Sequence, residues 1–125
     1  MKKVINTNQA PAAIGPYSQA ILANGMLFVS GQLPVDPATG VMAQNDIGAN
    51  TKQVMANISA ILKEAGMDFT HVIKTTIFLA DMNDFGKVNE IYGSYFTSEP
   101  PARETVQVAR LPKDARIEIS VLAAL

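Results

Sequence analysis

Two stretches of the chain carry apolar residues at the three- and four-residue spacing of an amphipathic helix. The first runs from about Asp46 to Ala65, where Asn45 or Asp46 can cap the start and Gly66 follows the end. The second runs from Asn83 to Phe96 and ends before a Pro-Pro pair, which cannot continue a helix. We therefore predict two helices, each with one buried face.

Alternating and β-branched runs predict the strands of a sheet. These runs are Val4 to Asn6, Ala20 to Leu22, Met26 to Ser30, Val41 to Met42, Val72 to Ala80, Thr105 to Val108 and Arg116 to Leu122. Asn24-Gly25 indicates a hairpin. The Leu111 to Asp114 segment, with its proline, indicates a second hairpin that joins the last two strands. The element order predicts an α+β fold, in which a mixed β-sheet has two helices packed on one face.

Two of the predicted strands are apolar on both faces. Val72 to Ala80 carries Ile73, Ile77 and Leu79 on one side and Val72, Phe78 and Ala80 on the other. The last strand repeats this pattern, with Leu122 and Ala124 opposite Ile117, Ile119 and Val121. Because two helices cover only one face, the other face must pack on something else. Another copy of the chain is the simplest occupant, so we expect an oligomer.

Composition excludes several classes of protein. The chain has 125 residues, 48% of them hydrophobic, and a net charge of −1 with scattered Lys and Arg. This charge distribution is not typical of a protein that binds nucleic acid or a membrane surface. The absence of cysteine excludes disulfides and thiolate catalysis. No apolar stretch predicts a signal peptide or a membrane span, so we expect one soluble cytoplasmic domain.

Two charged residues near the C-terminal end suggest chemistry. Arg103 follows Pro100-Pro101-Ala102 at the start of a strand, and Glu118 lies inside an otherwise apolar strand, where an unpaired carboxylate is costly. If one hairpin brings them together, they predict a site for a small carboxylate beside a proton-transfer group. Structural ion pairs remain the alternative, with Glu104 or Glu99 for the arginine and Arg116 or Arg110 for the glutamate.

Four sequence blocks resemble the YjgF/RidA family of imine/enamine deaminases. The blocks are Ala12 to Gln19, Val29 to Pro34, Asp84-Phe85-x-x-Val88-Asn89, and the C-terminal P-A-R, V-x-V-A-R-L-P-K-D and I-E-I. They occur in the order of the family and span nearly the whole chain. The resemblance implies a single RidA-like domain over residues 1–125. It also implies a homotrimer with a chorismate-mutase-like fold and clefts between subunits.

The resemblance also implies roles for individual residues. Arg103 would hold the substrate carboxylate, Glu118 would orient or activate water, and Tyr17 would lie near the substrate. Ser30 and Gly31 end a strand, where backbone N–H groups can face an anion, although Ser-Gly is also a common turn. Thr105 stands where family members often carry cysteine, so it is expected to contribute mainly backbone groups. Asn89 completes the predicted substrate-binding set, with a solvent-facing helical asparagine as its alternative.

Together these features predict a cofactor-free hydrolase. Its substrates would be reactive 2-imino and 2-enamino acids such as 2-iminobutanoate and 2-iminopropanoate, and its products 2-oxo acids and ammonium. The alternative is a non-enzymatic trimer that binds small carboxylates or acts as a holdase. Endoribonuclease activity is reported for relatives, but this sequence has neither a basic patch nor a histidine pair to support it. His71 is the only histidine, so no metal site is expected.

Overall fold

A six-stranded mixed sheet with two helices on one face forms the body of the molecule in the computed structural model, which describes residues 1–125. The strands are β1 (Lys3–Ile5), β2 (Ala20–Ala23), β3 (Met26–Gln32), β4 (Val35–Asp36), β5 (Val41–Met42), β6 (Val72–Leu79), β7 (Ala102–Gln107) and β8 (Ile117–Ala124). The large sheet has the order β1-β2-β3-β8-β6-β7, and β4 and β5 form a separate ribbon. The predicted α+β architecture is confirmed.

Helix α1 (Ile47–Glu64) agrees closely with its prediction because both ends carry local signals. The Asp46 side chain accepts a hydrogen bond from the Ala49 backbone N–H at 2.9 Å, which caps the start. Gly66, at a φ of +76°, takes the left-handed conformation that glycine favours just past a helix end. The buried stripe of α1 contacts β3 and β8 and so fixes the helix on the sheet.

Helix α2 (Phe85–Gly93) is shorter than predicted at both ends. Met82–Asp84 forms a 3-10 turn, because the Asp81 side chain accepts from the Asn83 backbone N–H and caps that turn instead. After Gly93 the backbone closes only three-residue bonds, such as Phe96 N–H to the Gly93 carbonyl. The apolar periodicity continues through these turns, so it could not show where the α-helix stops.

The predicted C-terminal hairpin is wrong. β7 and β8 do not pair with each other, because β6 lies between them, parallel to β7 and antiparallel to β8. The connecting segment passes the end of β6, where the Val108 N–H bonds to the Leu79 carbonyl. A 3-10 turn at Pro112–Asp114 then returns the chain to β8. β6 thereby has a hydrogen-bonded partner on each edge.

A β-bulge interrupts the pairing of β3 with β8. Val29 pairs with Val121 and Gln32 with Ile119, so Ser30 and Gly31 together face a single residue of β8. On the other edge of β3, the Ser30 N–H bonds to the carbonyl of Gln19, the residue before β2, at 2.9 Å. The bulge therefore turns the Ser30-Gly31 backbone out of the regular ladder.

The two faces of the sheet differ in what covers them. The helix face holds a cluster of 21 buried apolar residues, among them Ile77, Ile117 and Ile119. The opposite face, hereafter the open face, leaves Phe28 49% exposed and Val106 42% exposed. One detail of the predicted pattern is wrong: a register shift after Val72 places Val72 in the core and leaves Ile73 exposed. No helix of the chain has both the length and the apolar character to cross a membrane.

Candidate functional site

Glu118 lies on the open face, against the bulge of β3. It pairs with Phe78 of β6, and its neighbours Ile117 and Ile119 point to the opposite, buried face. A Cβ atom built on Gly31 would overlap Oε2 of Glu118, so the carboxylate occupies the space that the side chain of any other residue would fill. Gly31 is therefore required for this contact, and the two predicted site residues are brought together by the bulge.

The Glu118 carboxylate has no charged partner in the protomer. Its two candidate partners are used elsewhere: Arg116 pairs with Asp84 at 3.0 Å and Arg110 pairs with Asp114 at 2.7 Å. Burial raises the pKa of the Glu118 carboxyl above its ordinary value. An unpaired carboxylate with a raised pKa is suited to accept a proton rather than to hold a strand in place.

Tyr17 and Ser30 border one shallow depression beside this contact. The Ser30 hydroxyl donates to the Ser18 carbonyl at 2.6 Å, which ties the bulge to the loop that carries Tyr17. The Tyr17 side chain is 53% exposed, so it is not a core residue. Tyr17, Ser30, Gly31 and Glu118 thus share one surface, hereafter the bulge surface.

Gln19 holds the loop of the bulge surface, a role that the sequence analysis missed. It is 2% exposed, and its amide oxygen accepts from the Thr7 N–H at 2.8 Å. Its amide nitrogen donates to the carbonyls of Thr7 at 3.0 Å and Pro11 at 2.9 Å. The only sequence signal is a long polar residue directly before an apolar strand. With a longer bond to the Ala10 carbonyl at 3.3 Å, this buried amide serves four backbone groups and fixes the approach to Tyr17.

Arg103 lies on the helix face of edge strand β7, where α2 holds its guanidinium. Nη1 donates to Oδ1 of Asn89 at 2.7 Å. The Cζ atom lies 5.1 Å from the ring centre of Tyr92 and 5.5 Å from that of Phe85. No carboxylate neutralises it, since Glu104 pairs with Lys74 at 3.2 Å. Arg103 therefore forms neither of the ion pairs considered for it, with Glu104 or Glu99. Asn89 contacts Arg103 and does not face solvent alone.

Thr105 lies two residues further along β7 on the same face as Arg103. It pairs with Ile77, and its hydroxyl oxygen is buried without a hydrogen-bond partner. Because β7 pairs only with β6, the outer edge of its backbone is unpaired and offers N–H donors. Arg103, Thr105 and Asn89 form a second surface, hereafter the Arg103 edge.

The structure does not bring Arg103 and Glu118 together within one protomer, contrary to the hairpin-based prediction. Arg103 pairs with Thr75 of β6, which is buried, whereas Glu118 pairs with Phe78 on the open face. The two residues are therefore separated by β6 across the sheet, about 10 Å, and by three residues along it, about 10 Å, and they point to opposite faces. The bulge surface and the Arg103 edge are two separate half-sites in the single chain.

Metal-binding potential is low across the whole chain. No group of three or more His, Cys, Asp or Glu side chains lies close enough to hold an ion. His71 contacts Asp68 at 3.2 Å beside a 3-10 turn, where both residues cap the turn.

The chain is similar to known proteins over a range that includes both half-sites. Residues 7–125 match the sequence model of a family described as Endoribonuclease L-PSP. The chain is 53% identical to the 2-iminobutanoate/2-iminopropanoate deaminase of Rattus norvegicus, over 98% of this chain and 90% of the rat protein.

Two solved structures are close to this fold. A conserved Rid family protein from Yersinia pestis has a TM-score of 0.98 and 50% identity, with 100% of both chains covered. TdcF of E. coli with bound serine has a TM-score of 0.94 and 42% identity, with 98% of both chains covered. Since the family match spans the bulge surface, the Arg103 edge and the sheet between them, the chain belongs to the YjgF/RidA family, as its sequence blocks predict.

Proposed function

We propose that this protein is a cofactor-free deaminase that hydrolyses 2-iminobutanoate, 2-iminopropanoate and related 2-enamino acids. The observation that carries the proposal is Arg103, a guanidinium held in place by α2 with no carboxylate to neutralise it. A planar, unpaired guanidinium is suited to bind a substrate carboxylate through two hydrogen bonds. The rat relative named as an imine deaminase and the serine bound to TdcF support a small amino-acid-like ligand.

In the proposed reaction each half-site has its own task. Arg103 holds the carboxylate, with help from backbone N–H groups near Thr105 or Gly31 and from Asn89. Glu118, with Tyr17, positions a water molecule and accepts its proton as the oxygen adds to C2 of the protonated imine. Glu118 then returns this proton to the nitrogen of the tetrahedral intermediate, and the C2–N bond breaks to release ammonia. The hydroxyl on C2 gives its proton to Glu118 as the C2–O bond becomes a carbonyl, and this proton passes to the ammonia. The products are a 2-oxo acid and, after protonation of ammonia, ammonium.

The proposal requires that the half-sites come from different protomers. The open face carries an apolar area suited to such a contact, which includes Val4, Ile21, Phe28, Phe78, Val106 and Leu122. A contact between the Arg103 edge of one chain and the bulge surface of the next joins two different surfaces, and such contacts form a ring when the rotation between neighbouring chains closes. The family resemblance implies a ring of three, and we therefore propose a chorismate-mutase-like homotrimer in the cytoplasm with clefts between subunits.

The oligomeric state can be measured directly. Sedimentation equilibrium or light scattering at micromolar concentration is expected to give the mass of three chains. Phe28→Glu, which places a charge in the apolar open face, is expected to lower that mass. Val41→Glu, at an exposed apolar position on the separate β4–β5 ribbon, is not. A stable monomer of the native chain would leave the two half-sites unconnected and would remove the basis of the proposed cleft.

The proposed activity is tested with a source of short-lived imines. A threonine dehydratase is mixed with this protein, and the loss of 2-iminobutanoate is followed against its spontaneous decay. A deaminase accelerates this loss. A protein that only senses carboxylates or acts as a holdase would bind 2-oxobutanoate and leave the decay rate unchanged.

Gly31→Ala is expected to lower activity without unfolding the protein. The new methyl group would overlap the Glu118 carboxylate, and a flexible carboxylate can move aside at little cost in stability. Displacing a group that positions the reacting water by about 1 Å is expected to lower kcat on the order of 10- to 100-fold. The control is Gly86→Ala in α2, where a Cβ meets nothing within 4 Å. It should leave kcat unchanged and raise the free energy of unfolding by about 0.5–1 kcal/mol.

A further inference from the structure

A single stripe of helix α2 surrounds the guanidinium of Arg103. Phe85, Asn89 and Tyr92 follow one another at steps of four and three residues, so they share one face of the helix. The two rings contact the guanidinium carbon at 5.5 and 5.1 Å, and the amide between them accepts from Nη1 at 2.7 Å. These distances match two cation–π contacts together with one hydrogen bond. The three residues are called here the α2 cradle.

Tyr92 is the buried member of the α2 cradle. It is 4% exposed, while Phe85 is half-buried and Asn89 is exposed. Its ring also packs on Phe96, with the ring centres 4.8 Å apart, so its position is set by the core rather than by Arg103. A guanidinium that rests on a fixed ring loses less freedom when it binds a carboxylate than one on a free side chain.

The Tyr92 hydroxyl is a separate feature from its ring. The oxygen is buried with no hydrogen-bond partner, as is the hydroxyl of Thr75 on the strand beneath it. Burial raises the pKa of the Tyr92 phenol, and the nearby Thr75 hydroxyl and the Arg103 charge offset part of that rise. The phenol thus stays neutral beside Arg103. Removing an unpartnered hydroxyl is expected to cost little, so Phe can replace Tyr here.

We propose that Tyr92, with Phe85, is a positioning residue that holds the Arg103 guanidinium ready for the substrate carboxylate. The inference rests on the proposed function, in which Arg103 is the carboxylate anchor. The aromatic ring of Tyr92, and not its hydroxyl, holds the Arg103 guanidinium in place. Tyr92 itself touches no substrate in this arrangement and acts through Arg103 alone.

The first test reads the position of Arg103 without any substrate. The Nε–H resonance of Arg103 in an NMR spectrum is expected to be shifted by the two aromatic rings in the native protein. Tyr92→Phe should keep most of that shift, and Tyr92→Leu should lose a large part of it. Tyr95→Leu is the matched control, because the Tyr95 ring packs on Phe69 at 5.3 Å and is not among the residues of the α2 cradle. A Tyr92→Leu spectrum with an unchanged Arg103 resonance overturns the proposal.

The second test measures the dissociation constant of 2-oxobutanoate by calorimetry. Cation–π contacts are worth about 0.5–2 kcal/mol, so Tyr92→Leu should raise this constant by about 2- to 30-fold. Tyr92→Phe and Tyr95→Leu should stay close to the native value. In an Arg103→Lys background, Tyr92→Leu should have a smaller effect than in the native chain, because the planar partner of the ring is gone. Equal effects in both backgrounds, or equal losses in the Phe and Leu variants, contradict the assignment to the ring.

Two further measurements distinguish a failure of the role of Tyr92 from a failure of the proposed function. Thermal unfolding identifies a Tyr92→Leu variant that has lost its fold, and in that case Phe85→Leu at the less buried ring replaces it in both measurements. If the native protein binds 2-oxobutanoate and shows the shifted Arg103 resonance but does not accelerate imine loss, the proposed function fails and the role of Tyr92 stands. If imine loss is accelerated and neither Tyr92→Leu nor Phe85→Leu changes the Arg103 resonance or the affinity, the role of Tyr92 fails alone.

Discussion

Replacement of Arg103 by alanine is expected to lower kcat/KM for 2-iminobutanoate by a factor on the order of 10²–10⁴. The imino acid is small and offers few groups besides its carboxylate and its C=N bond, so the guanidinium supplies much of its binding and orientation. Each hydrogen bond to a charged group is worth about 1.5–3 kcal/mol, and the variant loses two of them. The variant should remain a folded oligomer, because Arg103 is only half-buried on an edge strand.

Two further variants make the Arg103 result specific. Arg103→Lys should recover only part of the activity, since an ammonium keeps the charge but not the planar pair of donors. Arg110→Ala is the matched control, because Arg110 pairs with Asp114 and both side chains are exposed. Arg116 is unsuitable as a control, since its two bonds to the less exposed Asp84 anchor the start of α2. Near-native kcat/KM in Arg103→Ala, or an equal loss in Arg110→Ala, would show that Arg103 is not the anchor.

Glu118→Gln is expected to slow turnover far more than it weakens binding of 2-oxobutanoate. Glutamine fits the same space against Gly31 but cannot accept the proton of the attacking water. A positioned general base contributes on the order of 10²–10⁴ to the rate, and kcat should fall by about that factor. The measurement compares kcat for 2-iminobutanoate with the dissociation constant of 2-oxobutanoate. Equal losses in both quantities would assign Glu118 a structural role.

The pH dependence of kcat provides an independent test of Glu118. Burial raises the pKa of its carboxyl, so the acidic fall in kcat should occur at a higher pH than for an exposed glutamate. Between the unfolded-state pKa and this higher value, the folded protein binds more protons than the unfolded chain. The contribution of Glu118 to the free energy of unfolding therefore decreases as pH rises through that window. Glu118→Gln should abolish the acidic fall in kcat and this pH dependence of the free energy of unfolding. If kcat of the variant still falls at the same acidic pH, another titrating group is responsible.

Local signals in the sequence predicted where the helices and strands lie. They predicted less well which strands pair with each other in the sheet. Helix α1 was predicted well because Asp46 and Gly66 mark its ends. The strands β7 and β8 were recognised, yet a turn between two apolar runs does not reveal that a third strand can lie between them. That choice depends on β6, which is distant in sequence and takes a partner on each edge.

The candidate site was predicted as a set of residues but not as an arrangement. Ser30-Gly31 has the sequence of an ordinary turn, so the bulge that seats Glu118 against Gly31 had no sequence signal. Phe85 and Tyr92 fit an apolar stripe, and periodicity alone cannot distinguish a core ring from one that supports a guanidinium. Opposite faces for Arg103 and Glu118 follow from strand order, which sequence spacing does not contain.

The central place of β8 has a consequence for how the chain folds during synthesis. β8 lies between β3 and β6, although it follows both of them in the chain and is synthesised after them. Without β8, no strand pairing links β1–β3 to β6–β7, and each group would have an unpaired inner edge that can join a wrong chain. Pairing across this distance is slow to form, because long loops must close first. The domain is therefore expected to become one cooperative unit only when β8 inserts between the two fragments.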